Sequence, residues 1–331
     1  MSSTTARILQ QAIHKTNGML KLPSVKKGRE IAGSLIYYLV ILSLSFVFLY
    51  PLLYMIAQSL MRVQDVADAT VQWIPKKFDV TNYKIAIKEI NYWSGFTNSV
   101  IITMGSAVLQ ILSCSLIGYG FARYRFPGHA FWLGLVIFTF LVPPQTIVVP
   151  LYIFYSDLQI NTGIQWLNSP LPFILPATMG HGLKGALFVL IFIQFYRRLP
   201  GVLEEAAKID GAGPFRTYWT IMFPLAKPAM LVVFLFTVVW HWNDLFEPTT
   251  YLTMPDFFTL AQNLNRFDGN ANVEVMQMSS TVSADALGMA PTKLNQIMAA
   301  VVLSISPILI LYLFLQRHFV ESVERSGIAG E

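Results

Sequence analysis

Two clusters hold the residue types best suited to chemistry. Near the end of an apolar run, His241, Asn243, Asp244 and Glu247 supply donors and acceptors for a hydroxylated solute, and Trp240 and Trp242 offer flat faces to a sugar ring. Upstream, residues 204–213 read EEAAKIDGAG, a polar island in a chain that is only 12% charged. The first cluster is either a solute contact or an interfacial belt, where tryptophan is common, with its polar groups paired between helices. The second is either a capped connector or a handle that another protein grips.

Other chemistry is missing from the sequence. No G-x-x-x-x-G-K-[ST] phosphate loop is present, so ATP hydrolysis by that route is excluded and any ATP dependence needs a partner. No nucleophile elbow of the G-x-S-x-G type and no zinc-like spacing of His, Cys, Asp and Glu appears. No catalytic residue, metal ligand or bound cofactor is expected. Basic recognition helices and aromatic-basic grooves for nucleic acid are likewise missing. The single cysteine, Cys114, lies in an apolar run and reads as a packing residue.

The elements that carry these clusters must sit in a membrane. The 331 residues are 54% hydrophobic, with mean hydropathy +0.53. Soluble domains carry about 25% charged residues, twice what this chain has. A spanning helix needs roughly 20 mostly apolar residues, and six runs qualify. They are Ile31–Leu60, then about Ser99–Phe121, Ala130–Tyr155, a stretch within Leu171–Tyr196, Ala229–Thr250 and Leu294–Leu315. The first is too long for the apolar part of a signal peptide and reads as a retained helix. The fold class is therefore all-α and integral to the membrane, with six transmembrane helices.

The basic residues orient the chain. Fifteen of the 23 Lys and Arg fall before the first run, between the second and third, between the fourth and fifth, and after the sixth. Short cytoplasmic loops collect such residues, which places both termini and the 204–213 island in the cytoplasm. Residues 1–30 form a cytoplasmic segment. Within it Ile8, Leu9, Ala12 and Ile13 recur at helical spacing beside Arg7 and Lys15, which suits either an amphipathic helix on the membrane surface or a polar tail. Residues 31–331 form the membrane domain, with external loops 61–98, 156–170 and 252–293 and a cytoplasmic loop 199–228.

That loop has helix punctuation. Pro200 suits a first helical turn, Glu204 and Glu205 suit the positive end of a helix dipole, and Gly211 suits a C-terminal cap. Val202, Ala206 and Ile209 share one face. Pro214 then starts a second helix, with Phe215, Tyr218, Trp219 and Met222 as an apolar stripe. Elsewhere, Pro143, Pro144 and Pro150 must disturb the third run, leaving Gln145 and Thr146 at a break that either lines a route or merely kinks. In the fourth run, His181 and Lys184 stand among Gly180, Gly182 and Gly185, and Lys184 should face the bundle interior or water, or reach the interface if the span is shifted.

The stretch EEAAKIDGAGPFRTYWTIMFP resembles the EAA loop of ABC-importer permeases. The family's pattern of Glu-Ala-Ala, three residues, Gly, nine residues, Ile, one residue, Leu-Pro falls on Glu205, Ala206, Ala207, Gly211, Ile221 and Pro224, with Phe223 in place of the usual Leu. NSVIIT, VPPQTIVVPLY, WNDLFEP and QRHFV are similar to the carbohydrate, maltose-type branch, so the resemblance covers most of the chain. The tail ESVERSGIAGE departs from that branch, and residues 270–293 look longer than usual. The resemblance implies the type I importer permease (MetI-like) fold and a place in the bacterial or archaeal inner membrane. It implies as partners a second homologous permease, two cytoplasmic ATPase subunits that hold the ATP and Mg, an extracytoplasmic solute-binding protein and membrane lipid. It implies that the loop docks on the ATPase through Glu204, Glu205, Ala206, Ala207, Asp210, Gly211, Ile221 and Pro224. The solute pathway would then include Gln145, Thr146, His241, Trp242, Asn243, Asp244 and Glu247. The alternative is a gradient-driven secondary transporter or channel, which would recruit His241, Asp244, Glu247 and Lys184 as a proton or ion relay.

Overall fold

The structure, a computed structural model, describes residues 23–62, 64–65, 68, 70–71, 73–269 and 290–328. The candidate amphipathic segment around Ile8–Ile13 and most of the long 270–293 stretch lie outside them. Among the described residues all regular structure is helical. The chain divides into two compact units, Met1–Met55 and Ile56–Glu331.

The first unit contributes most of α1 (Pro23–Ser59), an apolar helix with Pro51 inside it. In the second unit, α2 (Thr81–Glu89) stops at Ile90, and Asn91 takes a left-handed turn (φ 48°) into α3 (Tyr92–Arg123). The membrane helix thus begins two turns before the expected Ser99, and the expected external loop 61–98 is partly helical. The side-chain amides of Asn82 and Asn295 tie the start of this region to α2 and to α14 (Ala290–Ile328), both donating to the Met61 carbonyl.

α3 is the axis of the second unit. Its inward positions are small or polar: Ser99, Thr103, Ser106, Gln110, Cys114, Ser115 and Gly118 are buried. Small side chains let neighbouring backbones come close. A Cβ on Gly118 would lie 2.5 Å from Phe192 Cβ on α7 (Gly185–Arg198), so the two helices touch there without room for a methyl group.

Three of the expected spans are interrupted, and each break has a chemical cause. The third run is two helices, α4 (His129–Leu141) and α5 (Pro144–Thr162), meeting at 98°. Pro143 is held extended (ψ 132°) and Pro144 starts α5, because a proline disfavours helical geometry in the residue before it. Pro150 sits inside α5. Ala130–Tyr155 is therefore not one straight span, and α5 runs on to Thr162, which shortens the expected 156–170 loop.

The fourth run is also divided, into α6 (Leu171–Thr178) and α7, with Gly180 (φ 71°) and Lys184 (φ 58°) left-handed between them. Backbone groups freed inside a bundle must find other partners. Here α3 supplies them: Ser113 Oγ donates to the Ala177 carbonyl at 2.6 Å, Gln110 Nε2 donates to Leu183 at 3.0 Å, and Cys114 Sγ lies 3.6 Å from the Gly185 carbonyl. The fifth run ends early, at Asn243 of α11 (Lys227–Asn243), and restarts as α12 (Phe246–Tyr251).

Between α7 and α11 lie α8 (Val202–Ile209), α9 (Pro214–Thr217), a π-turn (Tyr218–Met222) and α10 (Phe223–Leu225). After α12 come a 3-10 turn (Pro255–Phe257) and a helix over 260–269, so the expected external loop 252–293 is partly helical. Among the described residues three stretches, Gly33–Ser59, Tyr92–Arg123 and Leu294–Arg317, are long and apolar enough to cross a membrane alone. Counting three bent pairs as single spans brings the number to six.

Candidate functional site: the 199–228 loop and a cavity at the helix breaks

The loop is two short helices joined by a rigid turn. Gly211 is left-handed (φ 76°), its N–H donates to the Lys208 carbonyl, and Ala212 N–H reaches back to Ala207 at 2.8 Å. That pair of bonds is a Schellman cap, which satisfies the last carbonyls of α8. Gly211 thus sits one residue beyond the C-cap Asp210, and α8 starts one residue after its N-cap Gly201. Pro214 opens α9, as its spacing predicts.

The faces of the loop differ from the expected pattern. Glu204 turns inward and its Oε1 stands 3.5 Å from Arg123 Nε at the end of α3, with the two side chains 16% and 13% exposed. Glu205, Ala206 and Asp210 turn to solvent, while Ala207 is buried. Val202 and Ile209, which share the apolar face with Ala206, are 69% and 86% exposed. The side of α8 that packs on the bundle is Leu203, Glu204 and Ala207 instead. The second stripe is divided too: Tyr218 and Met222 are buried, Phe215 and Trp219 exposed. Ile221 is half-buried and Pro224 exposed.

A second feature is a cavity of about 130 Å³ where the breaks converge, bounded by the ends of α4, α5, α6, α7 and α11 and by α12. His181, Lys184, His241 and Glu247 line it together with Tyr155, Phe173 and Tyr251. His241 is buried, and its Nε2 has no hydrogen-bond partner among the described residues. Lys184 also lies over the Trp240 ring, 5.9 Å from its centroid.

Of the seven expected pathway residues, only His241 and Glu247 line this cavity. Gln145 and Thr146 are exposed in the first turn of α5, where Thr146 Oγ1 donates to the Pro143 carbonyl. Asn243 donates to the Val239 carbonyl of its own helix. Asp244 Oδ1 accepts the Phe246 N–H and so caps the start of α12. Trp242 does not line the cavity: its Nε1 donates to the Ser304 carbonyl at 3.0 Å, its ring meets Phe96 edge-on, and it is buried. It holds α11 against α14. Trp240 stacks on Phe188 and Phe236.

Arg123 did not stand out in the sequence except as a loop charge. Its partner Glu204 was visible, but the pairing spans 81 positions and has no local signature. Ser115, Tyr196 and Tyr218, which meet in the interior, were equally hidden in apolar runs.

A helical membrane bundle with broken spans and a structured loop before the fifth run defines a transporter's membrane subunit. The sequence model of the family described as "Binding-protein-dependent transport system inner membrane component" matches residues 114–325, and the chain belongs to that family. It is a multi-pass inner-membrane translocation subunit of an ATP-driven importer, which works with a separate ATPase and a solute-binding protein. Among curated relatives, the arabinooligosaccharides transport system permease protein AraQ of Halalkalibacterium halodurans is 28% identical, over 87% of this chain and 93% of that one. The sn-glycerol-3-phosphate transport system permease protein UgpE of Yersinia pestis is 28% identical over 70% of each chain. The diacetylchitobiose uptake system permease protein NgcG of Streptomyces coelicolor is 26% identical, over 85% of this chain and 84% of that one. A solved bacterial ABC transporter involved in the import of the acidic polysaccharide alginate shares the fold, with TM-score 0.69 at 20% identity over 88% of this chain and 98% of that one.

Proposed function

We propose that this chain carries a sugar or oligosaccharide across the membrane by alternating access, paired with a second permease and driven by two ATPase subunits. Those subunits hold the ATP and Mg, both chain termini lie on their side of the membrane, and one subunit docks on the 199–228 loop. The observation that carries the docking is the division of labour between adjacent acids. Glu204 is spent on Arg123 inside the bundle, while Glu205 projects with Ala206, Val202 and Ile209 from a capped, rigid helix. An exposed acid among exposed apolar side chains suits a cleft with a basic residue and apolar walls. The sugar class is supported by the relatives, whose names include arabinooligosaccharides and diacetylchitobiose. The pathway includes the cavity at the breaks, where Lys184, His181 and His241 supply donors and Glu247 an acceptor.

The test is Glu205→Arg in the complete complex. Uptake and substrate-stimulated ATP hydrolysis should both fall sharply, with the complex losing its ATPase on purification. Unchanged uptake and hydrolysis would end the docking assignment. Calorimetry of the solute-binding protein against sugars, polyols and glycerol phosphodiesters reads the substrate class independently.

A further inference from the structure

Ser115, Tyr119 and Arg123 fall at i, i+4 and i+8 on α3, a single stripe of that helix. Each meets a different part of the loop region. Ser115 Oγ lies 2.7 Å from the Tyr196 hydroxyl on α7 and accepts a hydrogen bond from the Tyr218 hydroxyl at 3.1 Å. The Tyr119 ring packs on both tyrosines, with centroids 5.5 Å from Tyr196 and 5.2 Å from Tyr218. Arg123 donates to the Leu199 carbonyl at 2.6 Å and faces Glu204.

Tyr196 precedes the loop and Tyr218 lies in its far half, so both limbs converge on one oxygen of α3. A serine hydroxyl has one proton and two lone pairs, enough to accept from Tyr218 and still bond Tyr196. The three residues are at most 1% exposed. Directional bonds in so dry a site hold one register more firmly than apolar packing, which tolerates sliding. The π-turn serves the same contact: Phe223 N–H bonds the Tyr218 carbonyl five residues back, and this wider turn is an uncommon form that tends to occur at functional sites.

We propose that Ser115 is a positioning residue for energy coupling, whose hydroxyl knots both limbs of the 199–228 loop to α3, so that a push on the loop moves α3 instead of deforming the loop. This rests on the docking reading above.

The experiment uses the whole complex in proteoliposomes and reads solute taken up per ATP hydrolysed. Tyr218→Phe keeps the ring and removes only the hydroxyl, and Ser115→Ala removes the shared oxygen. Tyr218→Phe should lower uptake per ATP by about fivefold, the equilibrium weight of one net hydrogen bond, and Ser115→Ala, which also unties Tyr196, by more, while the ATPase still copurifies. Because the Tyr218 bond is already gone in Ser115→Ala, the double variant should be no worse than Ser115→Ala alone. Wild-type uptake per ATP in both single variants would overturn the proposal. So would additive losses, or loss of the ATPase from the Tyr218→Phe complex, which would make the hydroxyl a matter of loop shape and not of transmission. A wild-type chain that retains no ATPase would instead overturn the docking reading itself.

Discussion

Arg123 Nε and Glu204 Oε1 face one another at 3.5 Å in the interior, in ionic contact but without hydrogen-bond geometry, and the guanidinium satisfies itself on the Leu199 carbonyl. Removing one partner of a fully buried pair costs about 3–5 kcal/mol. This pair is only partly buried and loose in geometry, so its cost falls below that range. Glu204→Ala should therefore lower the melting temperature of the detergent-purified chain, and Glu205→Ala should leave it unchanged. Equal melting points for the two variants would show that the adjacent acids are not divided as described.

Gly211 and Gly118 fail for different reasons when a methyl group is added. Nothing lies within 4 Å of a Cβ on Gly211, so Gly211→Ala meets only the left-handed backbone penalty of about 1–2 kcal/mol. Faster hydrogen exchange confined to residues 202–217 is expected. Gly118→Ala instead drives a Cβ against Phe192 Cβ and to 3.1 Å from the Ile193 nitrogen. Overpacking of this kind costs about 1–3 kcal/mol and should destabilise the α3–α7 contact globally. The control is Gly213→Ala, where the site is open and φ is −73°.

Trp242→Phe separates packing from solute contact. It removes the bond to the Ser304 carbonyl and leaves a buried acceptor short of a partner, a loss of roughly 1–3 kcal/mol in stability. The apparent KM for uptake should stay the same. Lys184→Met and Glu247→Gln, at the cavity, should raise KM or abolish uptake while leaving stability within about 1 kcal/mol of the parent, since Lys184 is exposed and Glu247 only half-buried. A raised KM for Trp242→Phe with normal melting would make Trp242 a solute contact and not a packing residue.

The connection between α1 and α2 carries an acid-sensitive clasp. Hydrogen bonds from Lys76 and from Thr70 hold the Asp68 carboxyl well below its ordinary 3.8, and Thr81 does the same for Asp79. A carboxylate with a lowered folded-state value adds stability at pH above about 3.8, and that contribution disappears as the pH falls further and the folded form takes up its proton. Both groups are at the surface, so the effect is local. Hydrogen exchange of residues 73–81, corrected for its intrinsic pH dependence, should speed up on acidification below that value. In Asp68→Asn most of this pH dependence should be gone.

What the sequence revealed follows the range of the interactions involved. Proline and glycine act on their own backbone, so the ends of α8, the start of α9 and the break at Pro143 were all legible. The side that each residue presents depends on where α3 lies, and periodicity alone did not separate Glu204, which packs inward, from the exposed Glu205. The same holds for Trp242, whose carbonyl partner is 62 positions away. The π-turn has no composition of its own, and the stripe Phe215, Tyr218, Trp219 and Met222 divides into two i, i+4 pairs, one exposed and one buried.

The α6–α7 break is held by the side chains of Ser113, Gln110 and Cys114, in place of a continuous backbone ladder. A helix gives way cooperatively, because each bond lost weakens the next. Independent side-chain rotors release one at a time, at about 1 kcal/mol each. The joint beside Lys184 is therefore held by separable side-chain contacts, each of which can be weakened alone by a change at a different residue of α3.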